Sequence, residues 1–125
     1  MRLISALLLA LITTTAHAEL PSATALAVNQ ALSSGRPTVI DLGARTCIPC
    51  KKMAPILESL SAEYRGKASV LFIDVHEDQE AAQKHRVQMI PTQIFFNTQG
   101  KEVKRHVGFM EKANIVKELK AAGLK

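Results

Sequence analysis

Cys47 and Cys50 are the only cysteines in 125 residues, and they stand in the run RTCIPCKK with two residues between them. Three chemistries suit such a pair. A zinc site needs four ligands, and beyond the two thiols the chain after residue 18 offers His76, His85 and His106 at no spacing that makes a second half-site, so no metal is expected. A structural staple across so short a loop restrains the unfolded chain by only about 2 kcal/mol. A redox dithiol explains more, because a thiol at the start of a helix meets the positive end of the dipole and unpaired N–H groups that favour its thiolate. In that reading Cys47 is the exposed nucleophile, and Cys50, one turn inside, is the resolving thiol. Pro49 fits a first helical turn, where the N–H it lacks has no intrahelical partner. Asp41, six residues before Cys47, is either a functional carboxyl or a satisfied turn or cap group.

The surrounding pattern supplies the elements that must hold this pair. Ser22 is a candidate cap for a first helix with Ala25, Val28 and Leu32 on one face, ending near SSG at 33–35. TVIDLGA at 38–44 reads as a strand, rich in β-branched residues and closed by Gly43. From Cys50 to Tyr64 the apolar residues Met53, Leu57, Leu60 and Tyr64 mark one face of a helix that Gly66 terminates. SVLFIDV at 69–75 is a nearly continuous apolar run, as a strand covered on both faces requires. A short polar helix in EDQEAAQKHR, a strand TQIFF at 92–96, a turn NTQGK and a strand EVKRHV follow. Ile115, Val116, Leu119 and Ala122 mark the inner face of a closing helix. A helical crossover demands a parallel strand pair and the short turn an antiparallel one, so the sheet is mixed, with helices on both faces. The cysteines then lie just past the C-terminal end of the first strand, where open α/β sheets place their sites.

Residues 1–18 read as a cleavable export signal: Arg2, the apolar run LISALLLALI, then AHA with Ala16 and Ala18 at a cleavage spacing. The apolar run is about half of the roughly 20 residues a membrane-spanning helix needs. Removing 18 of the 125 residues leaves 107, one domain at 19–125, expected to be exported, soluble and periplasmic, in a compartment where disulfides persist. The net charge of +5 becomes +4 without Arg2, and the cations are dispersed among acids with only 4% aromatic residues. That describes a solvated, mildly basic surface and not a nucleic-acid site.

With these residues in place, the chain from 19 onward resembles the thioredoxin family nearly end to end. VIDLGARTCIPCKKMAPIL is similar to the family's active-site segment, with Asp41 six residues before the first cysteine, Lys51 directly after the second and Pro55 five residues beyond it. MIPT at 89–92 resembles the loop that carries a cis-proline, and VGF at 107–109 resembles the segment whose glycine borders the substrate groove. The resemblance implies a thioredoxin fold in which Asp41 is buried beneath Cys50 and accepts its proton through water. Burial of a carboxyl raises its pKa toward a useful range for that task. It further implies that Pro91 is cis and exposes the Ile90 backbone for β-type pairing, with Ile48, Pro49, Ile90 and Gly108 contacting substrate. Pro55 reads as a helix kink alone. The chain departs from the family in having no Trp: Gly43 and Thr46 stand where indoles flank the motif. Phe72 replaces the lysine that pairs with the buried Asp, and Ile48 replaces a common Gly.

The expected activity is that of an exported thiol:disulfide oxidoreductase that reduces or isomerises disulfides of exported proteins. It needs no cofactor beyond the Cys47–Cys50 disulfide, acts as a monomer and draws electrons from a membrane partner. Oxidising members carry a His in the motif to stabilise the thiolate, and Pro49 offers no such charge. The alternatives are a dedicated reductant of haem-attachment cysteines in cytochrome c maturation and a binding module that uses the groove as a clamp with idle cysteines.

Overall fold

In the computed structural model the described residues are 19–125, so the expected export signal at 1–18 lies outside them. Along the chain run α1 (Ala25–Leu32), β1 (Thr38–Gly43), α2 (Ile48–Glu63), β2 (Ser69–Asp74), α3 (Gln79–Lys84), β3 (Thr92–Phe96), β4 (Glu102–Val107) and α4 (Lys112–Ala121). The sheet order is β2-β1-β3-β4, with β1 parallel to β2 and antiparallel to β3, and β3 antiparallel to β4. The sheet is mixed, and β1 and β3 are buried along their whole length because they are central and covered on both faces. Among the described residues no helix is long and apolar enough to cross a membrane.

Two cores follow from strand alternation. Val39, Val70, Phe72 and Phe95 turn to one face, where Met53, Leu57 and Leu60 of α2 and Ile115 and Leu119 of α4 cover them. Ile40, Leu42, Ile73, Ile94 and Phe96 turn to the other, beneath Val28 of α1 and Ala81 of α3. The period-2 and period-3.6 patterns thus meet, with β1, β2 and β3 each feeding both layers.

The start of the first helix differs from expectation. Thr24, not Ser22, caps α1, its hydroxyl accepting the Ala27 N–H at 3.1 Å. Ser22 is taken by the sheet: it forms an isolated parallel bridge with Phe72, its hydroxyl accepts the Asp74 N–H at 2.9 Å, and the Ala23 N–H donates to the Phe72 carbonyl at 2.7 Å. This segment partly covers the outer edge of β2, which otherwise presents unpaired backbone groups. The inner residues of α1 are Val28 and Ala31, and Ala25 faces outward.

Candidate active site

Helix α2 begins at Ile48 with Cys47 as its N-cap, in extended backbone at φ −80° and ψ 129°. In the cap position usually held by a hydroxyl or carboxyl, the Cys47 Sγ accepts the Cys50 N–H at 3.3 Å. That N–H is one of the donors a helix start leaves without a carbonyl, so the sulfur most favoured as an anion is the one at the cap. Cys47 is half-buried and Cys50 is 5% exposed. The two are joined as a disulfide with Cα atoms 5.1 Å apart. Pro49 lies in the first turn and Ile48 is 72% exposed at its tip.

Beneath the pair, β1 supplies Asp41 and Gly43. A Cβ at Gly43 would lie 3.1 Å from the Cys50 Sγ and 3.5 Å from Asp41 Oδ2, so both groups border the space that glycine leaves open. Asp41 is fully buried, and burial pushes its carboxyl up to about 6, against the opposing effect of a hydrogen bond from Gln93. That bond runs from Gln93 Nε2 to Asp41 Oδ1 at 2.8 Å, while Oδ2 has no hydrogen-bond partner among the described residues.

The remaining expected site residues gather at the same end of the sheet. The Ile90–Pro91 peptide is cis, Pro91 is buried, Ile90 is half-buried, and the Pro91 carbonyl accepts the Gly108 N–H at 2.8 Å. Gly108 has φ +101°, a conformation that a side chain would strain. Thr92 opens β3 opposite Leu42 near the end of β1, and Val107 closes β4 opposite Thr92. The large apolar side chains Ile48, Met89, Val107 and Phe109 are all more than a third exposed at this end, a group that burial within the chain does not account for. Among the described residues no cluster of three or more His, Cys, Asp or Glu side chains could hold a metal ion.

The thioredoxin family model matches residues 21 to 121. The chain belongs to the thioredoxin family. A thioredoxin from Staphylococcus aureus is 44% identical over 81 residues, which is 65% of this chain and 77% of that one. Among solved structures, a mutant thioredoxin from Halobacterium salinarum NRC-1 superposes with a TM-score of 0.72 at 25% identity, covering 82% of this chain and 88% of that one. A thioredoxin from Nicotiana alata does so with a TM-score of 0.68 at 35% identity, covering 78% and 82%. The mixed sheet with helices on both faces is the thioredoxin fold, and with the Cys47–Cys50 pair the chain is a thioredoxin-like thiol-disulfide oxidoreductase.

Two features of this chain escape a reading of its sequence. Gln93 and His106 form a polar chain behind Asp41; the one local signal is a glutamine inside the apolar strand TQIFF. Arg45 does not project freely into water. Its guanidinium lies 4.9 Å from the centroid of the Phe72 ring, pairs with Glu19 at 2.9 Å and donates to the Leu20 carbonyl at 3.0 Å. Together with Ala44, Ala54 and Leu57, Arg45 and Phe72 line a shallow depression that reaches Cys50.

Proposed function

We propose that this protein is exported to the periplasm and there reduces or isomerises disulfides of exported proteins. Export is supported by the charge, apolar run and AHA site within residues 1–18. The single observation that supports the chemistry is the placement of Cys47 as the N-cap of α2, with Cys50 and the buried Asp41 facing each other across Gly43. The Cys47 thiolate attacks one sulfur of a substrate disulfide, and the other substrate sulfur leaves as a thiolate that takes a proton from solvent. The Cys50 thiol then gives its proton to Asp41 and attacks the Cys47 sulfur, releasing the second substrate thiolate, which is protonated in turn. Two electrons pass to the substrate, and the Cys47–Cys50 disulfide remains. The two sulfurs carry the electron pair, so the step calls for no cofactor.

The apolar group at this end of the sheet is the substrate surface in this reading. Ile48 and Pro49 lie at the helix tip, while Ile90 and Gly108 flank Pro91, leaving backbone for pairing with an extended segment. The protein acts as a monomer, and a membrane donor restores the dithiol.

In the reduced protein, iodoacetamide at pH 7 is expected to label Cys47 at least about tenfold faster than Cys50, since reactivity follows thiolate character and access. Equal rates, read by peptide mass, would remove the nucleophile assignment. The broader reading is tested by expressing Cys50→Ser and identifying what remains attached to Cys47 in the exported fraction. Diverse exported proteins support the general role, and apocytochromes alone would redirect it to haem-attachment cysteines. If insulin reduction by the parental protein with dithiothreitol does not exceed dithiothreitol alone, the groove is a clamp and the cysteines are idle.

A further inference from the structure

Asp41, Gln93 and His106 occupy one transverse row of the sheet. Asp41 of β1 is in register with Gln93 of β3, Gln93 with His106 of β4, and Phe72 of β2 completes the row on the other side. Asp41 and Gln93 are fully buried, and His106 is half-buried at the outer strand. Gln93 Nε2 lies 2.8 Å from Asp41 Oδ1, and Gln93 Oε1 lies 2.8 Å from His106 Nδ1.

The polarity of this chain is fixed by what each group can do. An ionised carboxyl only accepts, so the glutamine must turn its NH2 toward Asp41. Its carbonyl oxygen then faces the ring, and Nδ1 must carry the hydrogen, which it does in the Nδ1–H tautomer and in the imidazolium alike. Without a donor at Nδ1 the amide loses the contact that distinguishes its two orientations. Turned over, it would aim a carbonyl oxygen at Asp41, an arrangement that suits only the protonated acid.

We propose that Gln93 and His106 are positioning residues for Asp41: the imidazole N–H locks the Gln93 amide, and the amide holds one Asp41 oxygen so that the other stays free on the Cys50 side. The amide is not itself a proton carrier, so the pair orients and does not relay. This rests on the reading of Asp41 as proton acceptor for Cys50. The groups around the carboxyl are Cys50 from α2, Gln93 from β3 and the apolar Phe72 from β2. On β4, Lys104 shares the face of His106, and α4 turns Ile115 and Leu119 to this layer.

The test compares His106→Phe with His106→Asn, since the asparagine side-chain nitrogen can occupy the place of Nδ1 and donate the same bond. Two quantities are read against pH: the 13C shift of the Asp41 carboxyl, and the rate at which Cys50 resolves a preformed mixed disulfide. In His106→Phe the carboxyl midpoint and the acidic limb of the rate are both expected to move up by about one pH unit, about tenfold slower resolution on that limb, with the alkaline plateau unchanged. In His106→Asn both return to the parental positions. A merely structural role would lower the melting temperature of both variants and move neither curve. Unmoved curves in His106→Phe, or no difference between Phe and Asn, overturn the proposal. A carboxyl midpoint that moves while the rate limb stays put upholds the positioning and overturns the acceptor role of Asp41. If His106→Phe does not fold, Gln93→Met is read in the same way, an upward shift supporting the proposal and an unshifted midpoint overturning it.

Discussion

Replacing Asp41 with asparagine is expected to slow resolution of the mixed disulfide by about 100-fold at pH 7, the lower end of what a positioned general base contributes. The same change is expected to make the fold more stable at that pH by up to about 3 kcal/mol, from an elevation of the carboxyl from 3.8 to about 6 at about 1.4 kcal/mol per unit. The sign follows from proton counting. The folded-state pKa lies above the unfolded one, so between about pH 4 and 6 the native state holds more protons than the unfolded chain. The contribution of Asp41 to native stability therefore falls as pH rises through that window and levels off above it. Asparagine cannot ionise, so its advantage is full at pH 7 and vanishes near pH 3. Single-turnover resolution kinetics and urea unfolding at the two pH values measure both effects. A parental rate would end the acceptor assignment, and an equal stability difference at both pH values would end the buried-charge account.

The second large effect concerns the reduction potential, expected on the reducing side of about −200 mV. Strong oxidants of this fold reach about −120 mV through a thiolate with a pKa near 3.5, against about −270 mV and 7 for thioredoxin. Cys47 has the end of the α2 dipole and one N–H at 3.3 Å. Its other neighbours add little. Ile48 and Pro49 carry no charge, and Lys51 and Lys52 are exposed, where water and salt screen them. The Arg45 cation is occupied by Glu19, the Leu20 carbonyl and the Phe72 ring. An ionised Asp41 next to Cys50 further disfavours negative charge on the pair. The interval from −120 to −200 mV corresponds to about 500-fold in the exchange equilibrium, at about 30 mV per factor of ten. Equilibration in glutathione buffers measures it. A value near −120 mV would make the protein a disulfide donor.

The elements and the dithiol were legible because their signals are local. Alternation in TVIDLGA and SVLFIDV, the helical spacing of Met53, Leu57 and Leu60, and the Cys47–Cys50 interval each occupy one stretch of chain. The start of α1 was not, since Ser22 and Thr24 are both residues that cap helices and the choice is made by the edge of β2, which takes Ser22. Asp41 could be read as more than a cap only through resemblance; its burial depends on α2 packing over β1. Gln93 and His106 lay beyond reach for a related reason. Their partnership is set by cross-strand register, and no window of sequence contains both partners of that row with Asp41.

That register has its own consequence for β4. The strand is outermost in the sheet, and its residues Glu102, Val103, Lys104, Arg105, His106 and Val107 are exposed or half-buried, without the apolar alternation that ordinarily fixes how a strand aligns. A slip of one residue along β3 would turn every side chain of β4 to the opposite face and bring Arg105 or Val107 opposite Gln93. With Val107 there the buried Gln93 carbonyl would lose its donor, at a cost of about 1–3 kcal/mol; with Arg105 there a guanidinium would replace the imidazole and give up its own bonds to Glu102 and the Arg86 carbonyl. The His106–Gln93 bond thus joins the hydrogen-bonded turn at 97–101 in telling a polar border strand where to align, and its loss should appear first as misaligned β3–β4 pairing among folding intermediates.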